Sequence, residues 1–425
     1  MTRDVILTLS LLLVAGLVAR LLATVSRVPE IVFLLGLGAL LGPSVLDVLD
    51  VPLDSLPAQL VFTLGVSSIL FYGGLNLSLE ILRKVWLSLG LLAVVGVIVT
   101  ALITGVAAAL VFGLPFEQGL LIGAVLSPTD PAILIPLFIG SRLRPKVAQT
   151  VVAESAFNDP TGAVLALAVA GALLSGQNSL TGPAGDFLGQ LALSTGGGVL
   201  AGVVLSAAIS SRRAGIWRES AAIAVLAVVG MSYVSLDFAG GSGYLGAFLA
   251  GLIVGNMRLL GLSMHDEHER DLAIFSGSLA DVVTIFVFVL VGANLPFGKI
   301  GDEILPALAV VAVLVLVARP VTVAVCCLPD RRSRWSRAEL AFVCWTRETG
   351  VVPAALVGVL AALAVPNGDP LAAVVALAII VTLAFQAVPA PWLARRLGLL
   401  EVDATHIPPP EIVGLEPTAG GSGRH

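Results

Sequence analysis

A chain of 425 residues that is 57% hydrophobic and only 12% charged carries more apolar surface than a globular core can bury; soluble domains run near 25% charged. With a mean hydropathy of +1.03 its solvent is lipid, and the lack of a basic stripe with interleaved aromatics excludes nucleic acid as a partner. The net charge of −5 averages over loops of opposite character.

Apolar runs long enough to span fall at about 5–25, 30–46, 58–79, 85–112, 117–139, 147–175, 187–210, 217–237, 242–258, 271–294, 303–328, 336–365 and 370–394. The expectation is an all-α polytopic membrane protein of about 13 transmembrane helices. The first run lacks a small-residue cleavage site and reads as a retained helix rather than a signal peptide. Connections rich in Arg and Lys alternate with connections that have almost none. The basic set runs from Arg20 and Arg27 through Arg83 and Lys84, Arg142 to Lys146, Arg212 to Arg218, Arg258 and Arg270, and Arg331 to Arg337, to Arg395 and Arg396. With Arg424 it holds 19 of the 23 basic residues, whereas the other side holds Arg3 and Lys299 and acids such as Asp47, Asp50 and Asp54. The positive-inside rule makes the basic side cytoplasmic. The N-terminus is then outside and the C-terminus inside, which requires an odd number of spans. Residues 403–425 are Pro/Gly-rich and predict a short disordered cytoplasmic tail.

Two segments 218 residues apart echo each other: Gly74-Leu75-Asn76-Leu77 ends the third span and Gly292-Ala293-Asn294-Leu295 the tenth. The same offset sets Thr129-Asp130 of the fifth span on Arg347-Glu348 of the twelfth. Partners seven helices apart run in opposite directions, which describes an inverted repeat of six plus six helices with the seventh as connector.

The fifth span contains Ser127-Pro128-Thr129-Asp130-Pro131. The two prolines lack N–H groups and release the carbonyls of Ala124 and Ser127. Unwound backbone at membrane depth must line a cavity or lie buried in protein, and its carbonyls with the Thr129 hydroxyl suit an alkali cation. The plainer reading is a proline kink capped by Asp130; two prolines around an aspartate favour an ion site.

The sixth span carries Glu154-Ser155 and Asn158-Asp159-Pro160-Thr161. A carboxylate at the bilayer centre costs about 2.5–3.5 kcal/mol, so two within six residues need a reason. Helical spacing puts Ser155, Asp159 and Gly162 on one stripe and Glu154, Asn158 and Thr161 on the next. The tenth span adds Asp281, which reads either as facing a cavity or as complementing a helix start. In the twelfth span Arg347 is embedded in apolar sequence and stays charged. Its candidate partners are Glu154 and Glu348; pairing with Glu154 leaves Asp159 without a cation and free to exchange one. Asp130 and Glu348 sit at matching breaks and are placed to neutralise facing half-helix ends.

These segments resemble the monovalent cation:proton antiporters of the NhaP and NHE type. The resemblance rests on Ser127 to Pro131, Glu154-Ser155 through Asn158-Asp159-Pro160, Gly241-Ser242-Gly243-Tyr244-Leu245 with Gly251, Arg319-Pro320, and Trp345 to Gly350, and it covers about residues 1–400. It implies an NhaA/NhaP-like transmembrane domain over 1–402 with crossed broken helices five and twelve. It also implies a homodimer, with a dimerisation part at roughly 1–80 and 187–294 and a mobile core at roughly 81–175 and 303–397. Asp159, Ser155, Thr129 and Asp130 would form the ion- and proton-exchanging set, with Asp159, Ser155 and Thr129 as Na⁺ ligands. Asn158, Glu154, Arg347 and Glu348 would support it, Glu154–Arg347 as an ion pair. One departure is Phe71-Tyr72-Gly73-Gly74, with tyrosine where several relatives carry an acid. The implied activity is exchange of Na⁺, with Li⁺ or K⁺ as alternatives, for H⁺ in the plasma membrane, without any cofactor and without enzymatic chemistry. A neutral Asn158 beside one titrating carboxylate makes the exchange one for one and electroneutral.

The alternative of a sodium-coupled solute symporter needs a roomy polar cavity, whereas polar residues here cluster tightly at 127–130, 154–161 and 346–349. An intramembrane hydrolase is disfavoured by the lack of Gly-x-Gly-Asp, His-Glu-x-x-His and Gly-x-Ser-x-Gly. His265-Asp266-Glu267-His268-Glu269 reads as a solvated charged loop rather than a pH sensor or metal site. Cys326, Cys327 and Cys344 read as inert thiols.

Overall fold

The computed structural model describes residues 2–26, 28, 30–53, 55–130, 143–175, 181–211, 215–294, 297–366, 368–387 and 389–400. Pro131, the rest of the fifth predicted span through Arg142, and the tail expected to be disordered lie outside the described residues, as do Arg27, Asp54, Arg212, Arg213 and Leu295.

The regular elements among the described residues are all helices, apart from an isolated bridge between Leu143 and Leu400. Lipid offers no hydrogen bonds, so each apolar run must satisfy its own backbone. In order the helices are α1 Thr2–Ser26, α2 Glu30–Leu41, α3 Leu56–Leu75, α4 over 79–112, α5 Phe116–Val125, α6 Pro145–Leu174 and α7 Thr181–Ile209. Then follow α8 Ala221–Phe238, α9 Gly243–Gly255, α10 Asp266–Ala293, α11 over 297–327, α12 Arg337–Trp345, α13 Val351–Ala362, α14 over 368–387 and α15 Ala390–Arg396. Among the described residues nine helices are long and apolar enough to cross a membrane. Four more apolar helices are shorter, among them α5 and the stretch Val352–Ala362 of α13.

Two packing groups arise. Helices α2, α3, α7, α8, α9 and α10 pack chiefly on one another, with α1 against α2 and α10. Helices α4, α5, α6, α11 and α14 form the other group, and α6, α10 and α13 bridge the two. The short α5 and α13 thus lie inside the protein, where broken helices are tolerated.

At the basic end one buried carboxylate ties the α11–α12 loop to α4. Asp330 accepts hydrogen bonds from the Ser88 hydroxyl at 2.6 Å and N–H at 3.2 Å, from the Ser333 hydroxyl at 2.6 Å, and from the Arg332 and Ser333 N–H groups at 3.2 Å. Beside it Ser336 and Glu339 form a capping box that starts α12. Burial pushes the Asp330 carboxyl up, but the donors of Ser333 and Ser88 outweigh it and hold it down at about 2. A folded value below the unfolded value of about 3.9 stabilises the fold above about pH 4, and that contribution is lost as pH falls toward the folded value. The unfolding temperature of the wild type should therefore drop more steeply below about pH 4 than that of Asp330→Asn, which cannot titrate there. Parallel curves would contradict this assignment.

Candidate ion site at the crossing of two broken helices

Helix α5 stops at Val125, and residues 127–130 run on without helical structure. The Ala124 carbonyl, expected to be free, accepts the Ser127 hydroxyl at 2.7 Å and its N–H at 3.2 Å. The Leu126 carbonyl finds a remote partner in the Arg347 guanidinium. The twelfth predicted span breaks likewise: α12 ends at Trp345, Thr346 is extended, and α13 begins after Gly350. The two unwound stretches cross where the Asp130 N–H donates to the Glu348 carbonyl at 3.0 Å.

Helix α6 runs past the crossing without interruption, with Pro160 inside it. Its side chains hold Thr129 from three directions. Asn158 accepts from the Thr129 N–H at 3.1 Å and donates its amide to the Thr129 hydroxyl at 2.9 Å. Ser155 donates its hydroxyl to the Thr129 carbonyl. Ser155 and Asn158, assigned by spacing to adjacent stripes, thus converge on one residue. Gly162 permits the approach, since a β-carbon there would collide with the Pro128 ring.

Asp159 is half-buried, and its Oδ1 is buried without a hydrogen-bond partner among the described residues. Glu154 differs. It forms a buried, two-pronged ion pair, but with Arg319 of α11 and not with Arg347: Nη1 meets Oε1, and Nη2 meets Oε2 at 2.9 Å. The expected Glu154–Arg347 pair is therefore corrected. The reason lies in the helix ends. Arg319 also donates to the carbonyls of Val343, at 2.8 and 3.0 Å, and Thr346, at 3.2 Å, so its fixed charge sits at the C-terminus of α12. Arg347 does the same for α5, through the Leu126 carbonyl, and donates to the Thr349 hydroxyl at 3.2 Å. Each half-helix C-terminus carries about half a negative charge, and each has one arginine. At the opposite pole the Asp130 carboxylate lies against Gly350, at the N-terminus of α13, with no room for a β-carbon. Glu348 is 1% exposed, and its Oε1 has no partner among the described residues. Helix α14 braces the break: Thr382 accepts the Thr349 N–H at 3.0 Å, and Gln386 and Trp345 exchange hydrogen bonds at 2.7 and 3.0 Å.

Sequence reasoning missed Arg319 as the partner of Glu154. The signal was an arginine within an apolar span, as strong as that of Arg347. Tyr72 sets its hydroxyl beside Gly277 of α10. Asp281 is fifteen residues into α10, away from the helix start; it meets Arg20 at 3.5 Å and its side chain is 66% exposed. Asp266, Glu267 and Glu269 form the first turn of α10 rather than a loop, and Arg258 pairs with Glu269 at 2.7 Å and Asp266 at 3.5 Å. The three cysteines are free, Cys326 and Cys327 buried.

Residues 9–396 match the family described as "Sodium/hydrogen exchanger, transmembrane". The chain is similar to a probable Na(+)/H(+) antiporter 2 of Methanocaldococcus jannaschii, 31% identical over 367 residues, 82% of each chain. It is also similar to the K(+)/H(+) antiporter NhaP of Alkalimonas amylolytica, 30% identical over 355 residues that cover 82% of this chain and 59% of that one. Its fold matches the solved structure of the sodium proton antiporter MjNhaP1 of Methanocaldococcus jannaschii with a TM-score of 0.77 at 26% identity, covering 93% of this chain and 99% of that one. The family match over nearly the whole helical chain agrees with the two broken spans crossing beside α6: this chain belongs to the sodium/hydrogen exchangers, as a cation:proton antiporter of the NhaP type.

Proposed function

We propose that the protein exchanges Na⁺ for H⁺ across the plasma membrane, one for one, by alternating access, with cation and proton competing for Asp159. The carrying observation is how the four carboxylates around the crossing are used. Glu154 is neutralised by Arg319, Asp130 lies at the start of α13, and Glu348 is sealed. Of the four, Asp159 combines partial exposure with a buried oxygen that lacks a partner among the described residues. The Ser155 hydroxyl oxygen and the Thr129 oxygens add hard ligands able to replace a hydration shell. Asp130 contributes through the α13 terminus.

An unneutralised carboxylate in a low-dielectric core is costly to carry across the membrane. Occupied by Na⁺ or H⁺ it is neutral, so the core crosses readily only when loaded, and exchange follows. Asn158 both accepts from and donates to Thr129, a pair of roles an ionised aspartate cannot fill. One titrating group then gives an electroneutral cycle. The two packing groups support a dimerisation part at roughly 1–80 and 187–294 and a moving core at roughly 81–175 and 303–397. Loop charge supports an outside N-terminus and a cytoplasmic C-terminus.

The test is cation addition to proteoliposomes. Na⁺ alone should drive proton efflux, with Li⁺ and K⁺ ranked beside it, and a potassium–valinomycin potential should not change the rate. A net charge moved per cycle would feel about 2.3 kcal/mol per 100 mV. A clear response to potential would rule out one-for-one exchange, and a need for an organic solute would favour symport.

A further inference from the structure

Away from the ion site, a cavity of 320 Å³ opens at the basic end of the bundle, lined by Arg83, Trp86, Leu87, Asp330 and Arg332. It lies where two apolar helices reach their ends: Val85 begins the membrane-length part of α4, and Cys327 closes α11. Arg83 of α4 and Arg332 of the α11–α12 loop are exposed, and both line the cavity. Neither guanidinium has a carboxylate partner among the described residues. The one acid in the lining, Asp330, has both oxygens occupied by donors of Ser88, Arg332 and Ser333. It shapes the loop, and its oxygens are taken up without either guanidinium.

Such a cavity repels the transported cation and selects an anion. Two arginine forks suit the oxygens of a phosphate. The remaining wall is apolar. Trp86 follows Arg83 across a kink at Val85 and is 60% exposed, and an amphipathic ring at the end of a span belongs at the headgroup level. A free oxyanion would have no use for that wall, whereas a lipid presents phosphate and hydrocarbon together. We propose that this cavity binds the phosphate of an anionic phospholipid between Arg83 and Arg332, with its glycerol and upper acyl chain along Trp86 and Leu87. The lipid then bridges α4 to the α11–α12 loop.

The test uses the full-length protein in phosphatidylcholine nanodiscs with and without phosphatidylglycerol. Lipid retention is read by native mass spectrometry and stability by unfolding temperature. Wild type is compared with Arg83→Gln/Arg332→Gln, with Trp86→Ala, and with Arg395→Gln/Arg396→Gln, which removes equal charge elsewhere at the same end. Retained phosphatidylglycerol should fall about fivefold per arginine removed from the cavity. Its stabilising effect should vanish in that double variant and persist in the control, and Trp86→Ala should weaken retention with the charge intact. Equal losses in the control would reduce the effect to diffuse surface charge and overturn the site. So would equal retention of the two lipids by wild type. Inorganic phosphate that reproduces the full stabilisation in detergent, with no effect of Trp86→Ala on lipid retention, would overturn the lipid as occupant. Should the double variant fail to fold in phosphatidylcholine alone, Arg332→Lys decides: it keeps the charge but not the fork, and unchanged retention would reject the clamp.

Discussion

Asp159→Asn is expected to reduce cation-driven proton movement in proteoliposomes to the background of empty vesicles, for Na⁺, Li⁺ and K⁺ alike. The substitution keeps the size of the side chain and removes the proposed alternation between proton and cation. The unfolding temperature should stay equal to that of the wild type or rise. Asp159 has one oxygen buried without a partner among the described residues, and replacing a poorly compensated buried charge by a neutral amide relieves desolvation. Loss of transport with gain of stability separates an ion-exchanging carboxylate from a structural one. Retained exchange in this variant would overturn the central assignment.

The largest loss of stability is expected at Arg319. Arg319→Ala strands Glu154 as an unpaired buried charge and removes the donor from the carbonyls of Val343 and Thr346. Breaking one side of a buried pair costs about 3–5 kcal/mol. Glu154→Gln placed in the Arg319→Ala background should recover part of that loss, because the stranded charge is then gone. The double-mutant cycle gives the decisive comparison: strong coupling for Glu154 with Arg319, and weak coupling for Glu154 with Arg347, whose guanidinium serves the Leu126 carbonyl. Unfolding in detergent with each single and double variant measures both. Stronger coupling to Arg347 would restore the pairing expected from sequence.

Membrane residence and helical class follow from composition, because lipid forces every apolar run to satisfy its own backbone. The two breaks were legible because Pro128 and the charged run Arg347-Glu348 cannot continue an apolar helix, and the 218-residue offset placed them as partners. Thr129 in the fifth span and Ser155 and Asn158 in the sixth are legible as polar residues in apolar sequence. Their roles are not. That the Asn158 amide grips Thr129 on both sides, and that the Ser155 proton goes to the Thr129 carbonyl, depends on how α6 passes the unwound chain, which Gly162 allows by leaving out a side chain.

The choice of ion-pair partner is tertiary for a stricter reason. Sequence supplies two intramembrane arginines and several acids, and charge counting alone permits more than one pairing. Only the packing shows that two half-helix C-termini, α5 and α12, each draw one arginine. Arg347 is committed to the first, and Arg319, held at the second, stands within reach of Glu154. Composition and residue pattern establish an all-helical membrane protein with charge stored at two broken spans. The tertiary structure decided which charges cancel, because helix termini act as fixed charges whose positions exist only once the chain is folded.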